Sequence, residues 1–409
     1  MALNIILGAF AFLSFGIMLW QFVVAMRFPM HQRFADPGYA PPVTLLKPLK
    51  GVDSETWHCL ESWFNQDYAG PVQILFGVAS ADDPACEMVQ QMIAARPERD
   101  LQLVICGESP GANAKVATLV QLQRRSKHDV LIVSDADVHV PADFLVNAVA
   151  PLRDEQVGLV NCFYRLANPT TLPMQWEAIA INADFWSQVL QSQSLKPIDF
   201  ALGAVMVTTR RRLESIGAFA TLVDFLADDY QLGNLIARRG GRIVISPIVV
   251  ECRESPKNWR EAWRHQLRWA RTIRVCRPVP YFFSILGNAT LWPLLCAWFG
   301  SVRPLVEWSR RLEISFQVGS VSAAGLEFEA AIPWAFLLLL LGVAVRLITA
   351  FGLQARLNQS FRHWTYFWLV PIKDILNALI WALAFLGNAV EWGGKRYRVR
   401  RGGKLDKDA

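Results

Sequence analysis

The stretch from His128 to Pro141, HDVLIVSDADVHVP, constrains the fold more than any other. Its residues 130–134 are apolar or small without alternation. A short continuous run of this kind suits a strand buried on both faces, as in a parallel α/β sheet. The run stops at Asp135-Ala136-Asp137. Side chains of an extended chain repeat every second residue, so both carboxylates point to one side. In open α/β sheets, ligands bind beyond the carboxyl ends of the strands. Two carboxylates there suit a hard divalent cation, Mg²⁺ or Mn²⁺, which leaves positions for phosphate oxygens. A turn whose Asp side chains bond their own backbone would give the same local pattern.

Strands and helices alternate on both sides of this stretch. Residues 43–46 read as a first strand, ending at Lys47-Pro48-Leu49-Lys50-Gly51, and 55–64 as a helix. A second strand over 72–78 leads to Asp82-Asp83-Pro84, a helix follows over 86–96, and a third strand over 101–106. Gly111-Ala112-Asn113-Ala114-Lys115 opens another helix, which ends near Arg125. Further strands are expected at 157–162, 201–207 and 243–250, with a helix over 174–193. Leu226-Ala227-Asp228-Asp229-Tyr230 opens a last helix, to about Arg238. Such alternation indicates βαβ units and a parallel sheet. Gly203, inside a strand, permits close approach of a ligand. No G-x-G-x-x-G and no Walker A sequence is present, which excludes the usual dinucleotide and P-loop signatures.

The chain is 53% hydrophobic and only 19% charged, a balance that membrane segments explain. Residues 3–26 are almost wholly apolar, too long for a signal-peptide core and without its basic start or small-residue cleavage site. Residues 1–27 are therefore expected to be a retained membrane helix. Arg27, His31 and Arg33 place the next part in the cytoplasm by the positive-inside rule. A linker over 28–42 and a catalytic domain over 43–256 follow. Residues 257–277 carry Trp259, Trp263 and Trp269 beside Arg260, Arg264, Arg268, Arg271 and Arg274, the pattern of a helix lying in a membrane interface. A C-terminal membrane region is expected over 278–392, with apolar helices near 281–300, 333–353 and 366–390; residues 301–332 are too polar to span. The last helix is interrupted by Pro371 and by Lys373-Asp374, which would either face a cavity or pair at the interface. The basic tail, 393–409, belongs in the cytoplasm. Four full spans would put it outside, whereas a re-entrant segment at Pro371 would not. The net charge of +6 is thus read as membrane anchoring, and no nucleic-acid-binding signature is present. Seven Cys stand singly, which fits a reducing compartment and neither a disulfide framework nor a zinc site.

Asp83, Asp135, Asp137 and Asp229 can converge on one edge of such a sheet. One of Asp228 and Asp229 could instead cap its helix. Moving a sugar from a nucleotide needs a cation against the departing diphosphate, a base for the acceptor hydroxyl, and a grip on the nucleoside. Asp135 and Asp137 suit the first, Asp229 the second and Asp83 the third. Arg268 and Trp269 suit either the diphosphate or the membrane.

Lys47 to Asp53, Asp82-Asp83-Pro84, Asp135, Ala227-Asp228-Asp229-Tyr230, Arg268-Trp269 and Arg396-Tyr397-Arg398-Val399-Arg400 together resemble the ceramide glucosyltransferase family, glycosyltransferase family 21. Bacterial hopanoid-associated glycosyltransferases are its relatives, and the resemblance runs over nearly the whole chain. It implies an α/β, Rossmann-like GT-A glycosyltransferase domain plus transmembrane helices. It implies inverting transfer of a sugar, glucose in that family, from a UDP-sugar to the hydroxyl of a membrane lipid, as in sphingolipid and other glycolipid biosynthesis. By the same resemblance Asp83 contacts uridine, Asp135 and Asp137 bind metal and diphosphate, and Asp229 is the general base. Asn113 and Lys115 match a segment near the nucleotide, and Arg268 and Trp269 end a (Gln/Arg)-x-x-Arg-Trp motif. A multi-pass protein of the bacterial inner membrane with a cytoplasmic catalytic domain is implied as well. Two departures bear on the acceptor. His265 stands at the first position of that last motif, and Asn182-Ala183-Asp184-Phe185-Trp186 stands where the ceramide enzymes carry a His. Residues 265–274 look more like the hopanoid-linked group, so a hopanoid-associated N-acetylglucosaminyltransferase is the alternative reading. A processive polysaccharide synthase, which shares the Asp motifs, is a third.

Overall fold

In the computed structural model, which describes residues 2–34, 36, 38–107, 110–299 and 334–407, the run 130–134 is a strand with every residue buried. The strands are β1 (Val43–Pro48), β2 (Val72–Val78), β3 (Asp100–Ile105), β4 (Val130–Ser134), β5 (Val138–His139), β6 (Val157–Leu166), β7 (Val205–Thr209), β8 (Arg242–Cys252), β9 (Ala389–Trp392), β10 (Lys395–Val399) and β11 (Leu405–Lys407). The helices are α1 (Ala2–Arg27), α2 (Thr56–Ser62), α3 (Ala85–Ala94), α4 (Ala114–Arg125), α5 (Phe144–Val149), α6 (Leu172–Ile179), α7 (Trp186–Leu195), α8 (Arg210–Glu214), α9 (Asp228–Arg238), α10 (Trp259–Cys276), α11 (Pro278–Ser284), α12 (Leu291–Phe299), α13 (Trp334–Asn358) and α14 (Leu369–Ala384). The polar stretch expected at 301–332 lies outside the described residues.

The first eight strands form one sheet in the order β3-β2-β1-β4-β7-β6-β8-β5. It is mixed, not parallel throughout as the alternation suggested. β7 runs antiparallel to both β4 and β6, and β5 antiparallel to β8. The reversal matters for the site: the start of β7 lies beside the end of β4, with Val205 opposite Ser134. Residues 201–204, expected in the strand, are the loop that enters it. The expected helix over 174–193 is two helices joined by a π-turn, Ala180–Phe185. Asn182 explains that turn in part, since its side chain bonds the Leu166 N–H (2.9 Å) and carbonyl (3.0 Å) like an added strand residue.

Apolar cores cover both faces of the sheet. One of them continues from Leu46, Leu131 and Phe163 to Ala25, Leu353, Leu357 and Leu369, so the sheet domain and the apolar helices share a single packed interior. α1 is long and apolar enough to cross a membrane, as is the helix over Ala335–Asn358. Their C-terminal ends adjoin: Arg356 Nε donates to the Ala25 carbonyl (3.1 Å) and His31 Nε2 lies 2.9 Å from the Arg356 carbonyl. α11 and α12 form a third apolar unit, bent by 57° at a break. The Phe10 and Trp292 rings, 4.7 Å apart, lay α12 against the first half of α1.

The stretch expected as a helix over 366–390 is a 3₁₀ turn (Arg362–Tyr366), then α14, then strand β9. Pro371 falls in the first turn of α14, where its missing N–H costs no bond. α14 returns to α11, with Trp381 Nε1 donating to the Tyr281 carbonyl (2.9 Å). The basic tail is also structured. Gly393 (φ 59) and Gly394 (φ 80) make a two-residue hairpin turn, and Tyr397 and Val399 alternate inward between exposed Lys395, Arg396 and Arg398. The Arg side chains of α10 bond this tail and the loop before it. Arg264 meets Glu391 (3.0 Å), Arg271 the Ala389 carbonyl, and Arg274 Asn388. Much of the basic face expected to lie on a bilayer is thus occupied by protein.

Candidate active site

The carboxyl end of β4 presents Asp135 and Asp137. Lys47, at the end of β1 and fully buried, donates to Ser134 Oγ (3.1 Å) and to the Asp135 carbonyl (2.5 Å). This fixes the backbone from which both carboxylates project. Burial pushes Lys47 down to about 8. Lys115, in the first turn of α4, places its ammonium 2.5 Å from Asp135 Oδ1 and 3.5 Å from Asp228 Oδ2. Burial opposes the charge on Lys115, but Asp135 and Asp228 raise it above the usual lysine range. Asp228 is therefore an ion-pair partner and not a cap; Ala227 holds the N-cap position, with no side-chain cap bond.

Asp229 faces the loop into β7. A Cβ on Gly203 would sit 2.8 Å from Asp229 Oδ2, so only glycine leaves that oxygen its place. The Tyr230 N–H donates to Asp229 Oδ1 (2.7 Å). Burial, and then the Asp228 charge, push the Asp229 carboxyl up to about 7. Asp137 is also pushed up to about 7, by burial and then by Asp135. Among the described residues it has no ion pair within 4.0 Å.

Crowded carboxylates with one lysine among them are a site of unbalanced negative charge, and their oxygens suit Mg²⁺ or Mn²⁺. No group of three His, Cys, Asp or Glu able to hold a metal occurs among the described residues. A cation here would draw its remaining ligands from water and phosphate, the usual arrangement for Mg²⁺ in nucleotide enzymes. Arg268 of α10 completes the frame. It is within electrostatic reach of Glu177, Asp135 and Asp229, and burial draws its guanidinium down.

The chain matches the glycosyl transferase family 21 profile over residues 6–317 and 301–405. It belongs to that family. It is 24% identical to ceramide glucosyltransferase 3 of Caenorhabditis elegans over 223 residues, 54% of this chain and 48% of that protein. It is 35% identical to a ceramide glucosyltransferase of Candida albicans over 121 residues, 27% of this chain and 22% of that one. An N-acetylglucosaminyltransferase of Mesorhizobium japonicum is 23% identical over 349 residues, 82% of this chain and 77% of that one. The chain spans about half, or less, of the length of these ceramide glucosyltransferases. Among solved structures, a mannosyltransferase from Pyrobaculum calidifontis in complex with GDP-Man and Mn²⁺ is 24% identical, with a TM-score of 0.51 over 92% of this chain and 99% of that one. The two share the GT-A fold.

In this family 21 chain the remaining expected site residues are placed as follows. Asp83 stands in the turn between β2 and α3. Its Oδ1 accepts from the Gly51 and Ala85 N–H groups (both 2.9 Å), which ties the Lys47–Gly51 loop to α3. Among the described residues it makes no ion pair within 4.0 Å. Asn113 is fully buried and spent on the scaffold. Its carbonyl caps α4 at the Val116 N–H (3.0 Å), and its amide donates to the Phe225 carbonyl (2.7 Å). It positions Lys115 and the loop before Asp228. His265 and Arg268 line a cleft of about 360 Å³, with Lys257, Glu391, Trp392 and Gly393 among its other walls. His265 Nδ1 lies 2.5 Å from Glu177, which is fully buried and also accepts from Gln266 (2.9 Å) and Lys257 (3.3 Å). Burial opposes the Glu177 charge, yet these three bonds hold it down to about 2. Trp269 packs on His265 and Phe185 (ring centroids 4.9 and 5.9 Å).

Lys47, Glu177, Asp228 and the tail were not recognised from sequence as parts of this site. The tail reaches it directly. The Leu226 N–H donates to the Gly403 carbonyl (2.9 Å), Tyr397 OH to the Ala112 carbonyl (3.3 Å), and Lys50 Nζ to the Gly393 carbonyl (2.8 Å).

Proposed function

We propose that this protein is an inverting membrane glycosyltransferase that moves a sugar from a UDP-sugar to the hydroxyl of a membrane lipid. The observation that carries the reading is the meeting of Asp135, Asp137, Lys115, Asp228, Asp229 and Arg268 at one sheet edge, in a chain whose core is continuous with apolar helices. Asp135 and Asp137 would hold a Mg²⁺ or Mn²⁺ ion, which when bound supplies positive charge against the departing diphosphate. Lys115 and Arg268 add fixed cations on the same side. Asp229 takes the proton of the acceptor hydroxyl as its oxygen bonds the anomeric carbon; the bond from that carbon to the diphosphate breaks, and UDP leaves. One displacement inverts the centre. Asp83, held by Gly51, is the residue assigned to the uridine.

Glucose is the donor sugar favoured by the family's ceramide enzymes. The alignment with the Mesorhizobium japonicum N-acetylglucosaminyltransferase covers much more of the chain and supports N-acetylglucosamine as the second reading. The bent pair α11–α12 counts as one crossing in our topology, with α1 and α13 as the others and α14 kept on the catalytic side. Three crossings put the tail and the sheet domain together in the cytoplasm.

The test is Asp229→Asn, with UDP release and lipid-linked sugar measured together on UDP-glucose and UDP-N-acetylglucosamine. Transfer should fall about 10²–10⁴-fold while UDP-sugar binding persists. Full activity in this variant would remove Asp229 as the base. A ladder of products, in place of one sugar per lipid, would point to a polysaccharide synthase.

A further inference from the structure

The Lys373-Asp374 pair is part of a buried charge network among the apolar helices. Arg346 of α13 donates to Asp184 (2.8 and 3.0 Å) and to Asp374 (2.9 and 3.0 Å). Lys373 pairs with Asp374 (2.6 Å) and with Asp184. Two cations and two carboxylates thus neutralise one another. They line a cavity of about 130 Å³ together with Gln188 and Asn377, and the Asn377 amide has no hydrogen-bond partner among the described residues.

Two helix irregularities meet at this cavity. The π-turn Ala180–Phe185 carries Asp184. The break between α11 and α12 carries Asn288 and Thr290, which bond the Asp374 carbonyl (2.7 Å) and carboxylate (2.6 Å). Broken helices among membrane spans are tolerated where they line a cavity, and such cavities are common ligand sites. Phe185, next to Asp184, turns to the other side and packs on Tyr164 (5.6 Å) and Trp269 (5.9 Å). Tyr164 in turn lies within electrostatic reach of Asp229, Asp135 and Asp137. A chain of aromatic contacts therefore runs from the cavity to the carboxylates at the end of β4.

We propose that this cavity is a second binding site, distinct from the carboxylates at the end of β4, that takes the uncharged polar head of a membrane lipid bearing hydroxyl or amide groups. Resting on the transferase reading above, we assign that lipid as the acceptor. Every charge in the wall is already paired, so a phosphate or an ammonium would have to break a pair to bind. A hydroxyl or an amide can bond the Asn377 amide and spare carboxylate lone pairs without breaking one. The cavity is smaller than the cleft beside Arg268, about 130 Å³ against about 360 Å³.

The test uses the full chain in lipid nanodiscs containing diacylglycerol, short-chain ceramide or phosphatidylglycerol. Asn377→Trp fills the cavity without touching a charge pair, and Asn377→Ala removes the amide with less risk to folding. Native mass spectrometry should find diacylglycerol or ceramide retained by the parent chain and lost from both variants. The KM for the lipid acceptor should rise about tenfold in Asn377→Trp while that for the UDP-sugar moves less than about twofold. Preferential retention of phosphatidylglycerol, or neutral lipid held equally by all three proteins, overturns the proposal. If no lipid accepts sugar, the transferase reading fails, and the mass-spectrometric arm still decides whether the cavity holds a neutral lipid.

Discussion

Lys115 Nζ lies 2.5 Å from Asp135 Oδ1, so the lysine that opens α4 is bonded to the carboxylate that ends β4. The contact ties α4 to the carboxyl end of β4, and it sets a cation among the carboxylates there. Lys115→Met should lower UDP-sugar affinity about tenfold and stability by about 1–2 kcal/mol, the modest value reflecting the partial exposure of Asp135. Lys115→Arg should recover part of both. Calorimetric titration with UDP and a thermal melt read the two effects separately.

Asp229, raised to about 7 by burial and by Asp228, has the basicity a proton acceptor needs near neutral pH. The acid limb of kcat/KM should fall at or below about pH 7, lower when a bound cation favours the ionised form. The stability effect has a definite sign. Asp137 and Asp229 ionise near 3.8 when unfolded and near 7 when folded. Their contribution is present below about pH 4 and is lost as pH rises to about 7. Thermal midpoints of metal-free protein across this range should show the loss, and Asp229→Asn should flatten it.

Gly203→Ala tests the alignment of the base. The added Cβ would stand 2.8 Å from Asp229 Oδ2 and must displace the carboxylate. A displacement of this order costs about 10²-fold in kcat. KM for the UDP-sugar should change little. An unaltered kcat would mean that the Asp229 oxygen facing Gly203 takes no part in the proton transfer.

Removing residues 389–409 should abolish transfer while leaving the sheet folded, because the tail bonds the loop before Asp228 and not the core strands. Hydrogen exchange at the Leu226 amide, protected by the Gly403 carbonyl, should quicken most.

The place of Asp135 and Asp137 was legible because an apolar run that stops at Asp-x-Asp sets both carboxylates beyond the carboxyl end of a buried strand. The first strands were legible for the same reason: their residues are buried on both sides, and periodicity carries that information. The reversal of β7 was not, since strand direction depends on the path of the chain before it, here the excursion through α6 and α7. Asn113 is expected near the nucleotide from the segment it shares with the family; its burial and its two bonds to the scaffold are visible only in three dimensions. The tail was legible as charge and as a family motif, and not as structure. Its strand was nonetheless written in the alternation of Tyr397 and Val399 with Lys and Arg, after a Gly-Gly pair suited to a hairpin. Glu177 was invisible for another reason: a lone acid in an apolar helix gives no hint of the three donors that surround it.

The bond from Leu226 to Gly403 orders events during biosynthesis. Residue 403 follows every apolar helix in the chain, so the ribosome must pass all of them before the loop carrying Asp228 and Asp229 can close. A nascent chain that has not yet reached residue 403 leaves the Leu226 N–H without its acceptor and the loop before Asp228 unpinned.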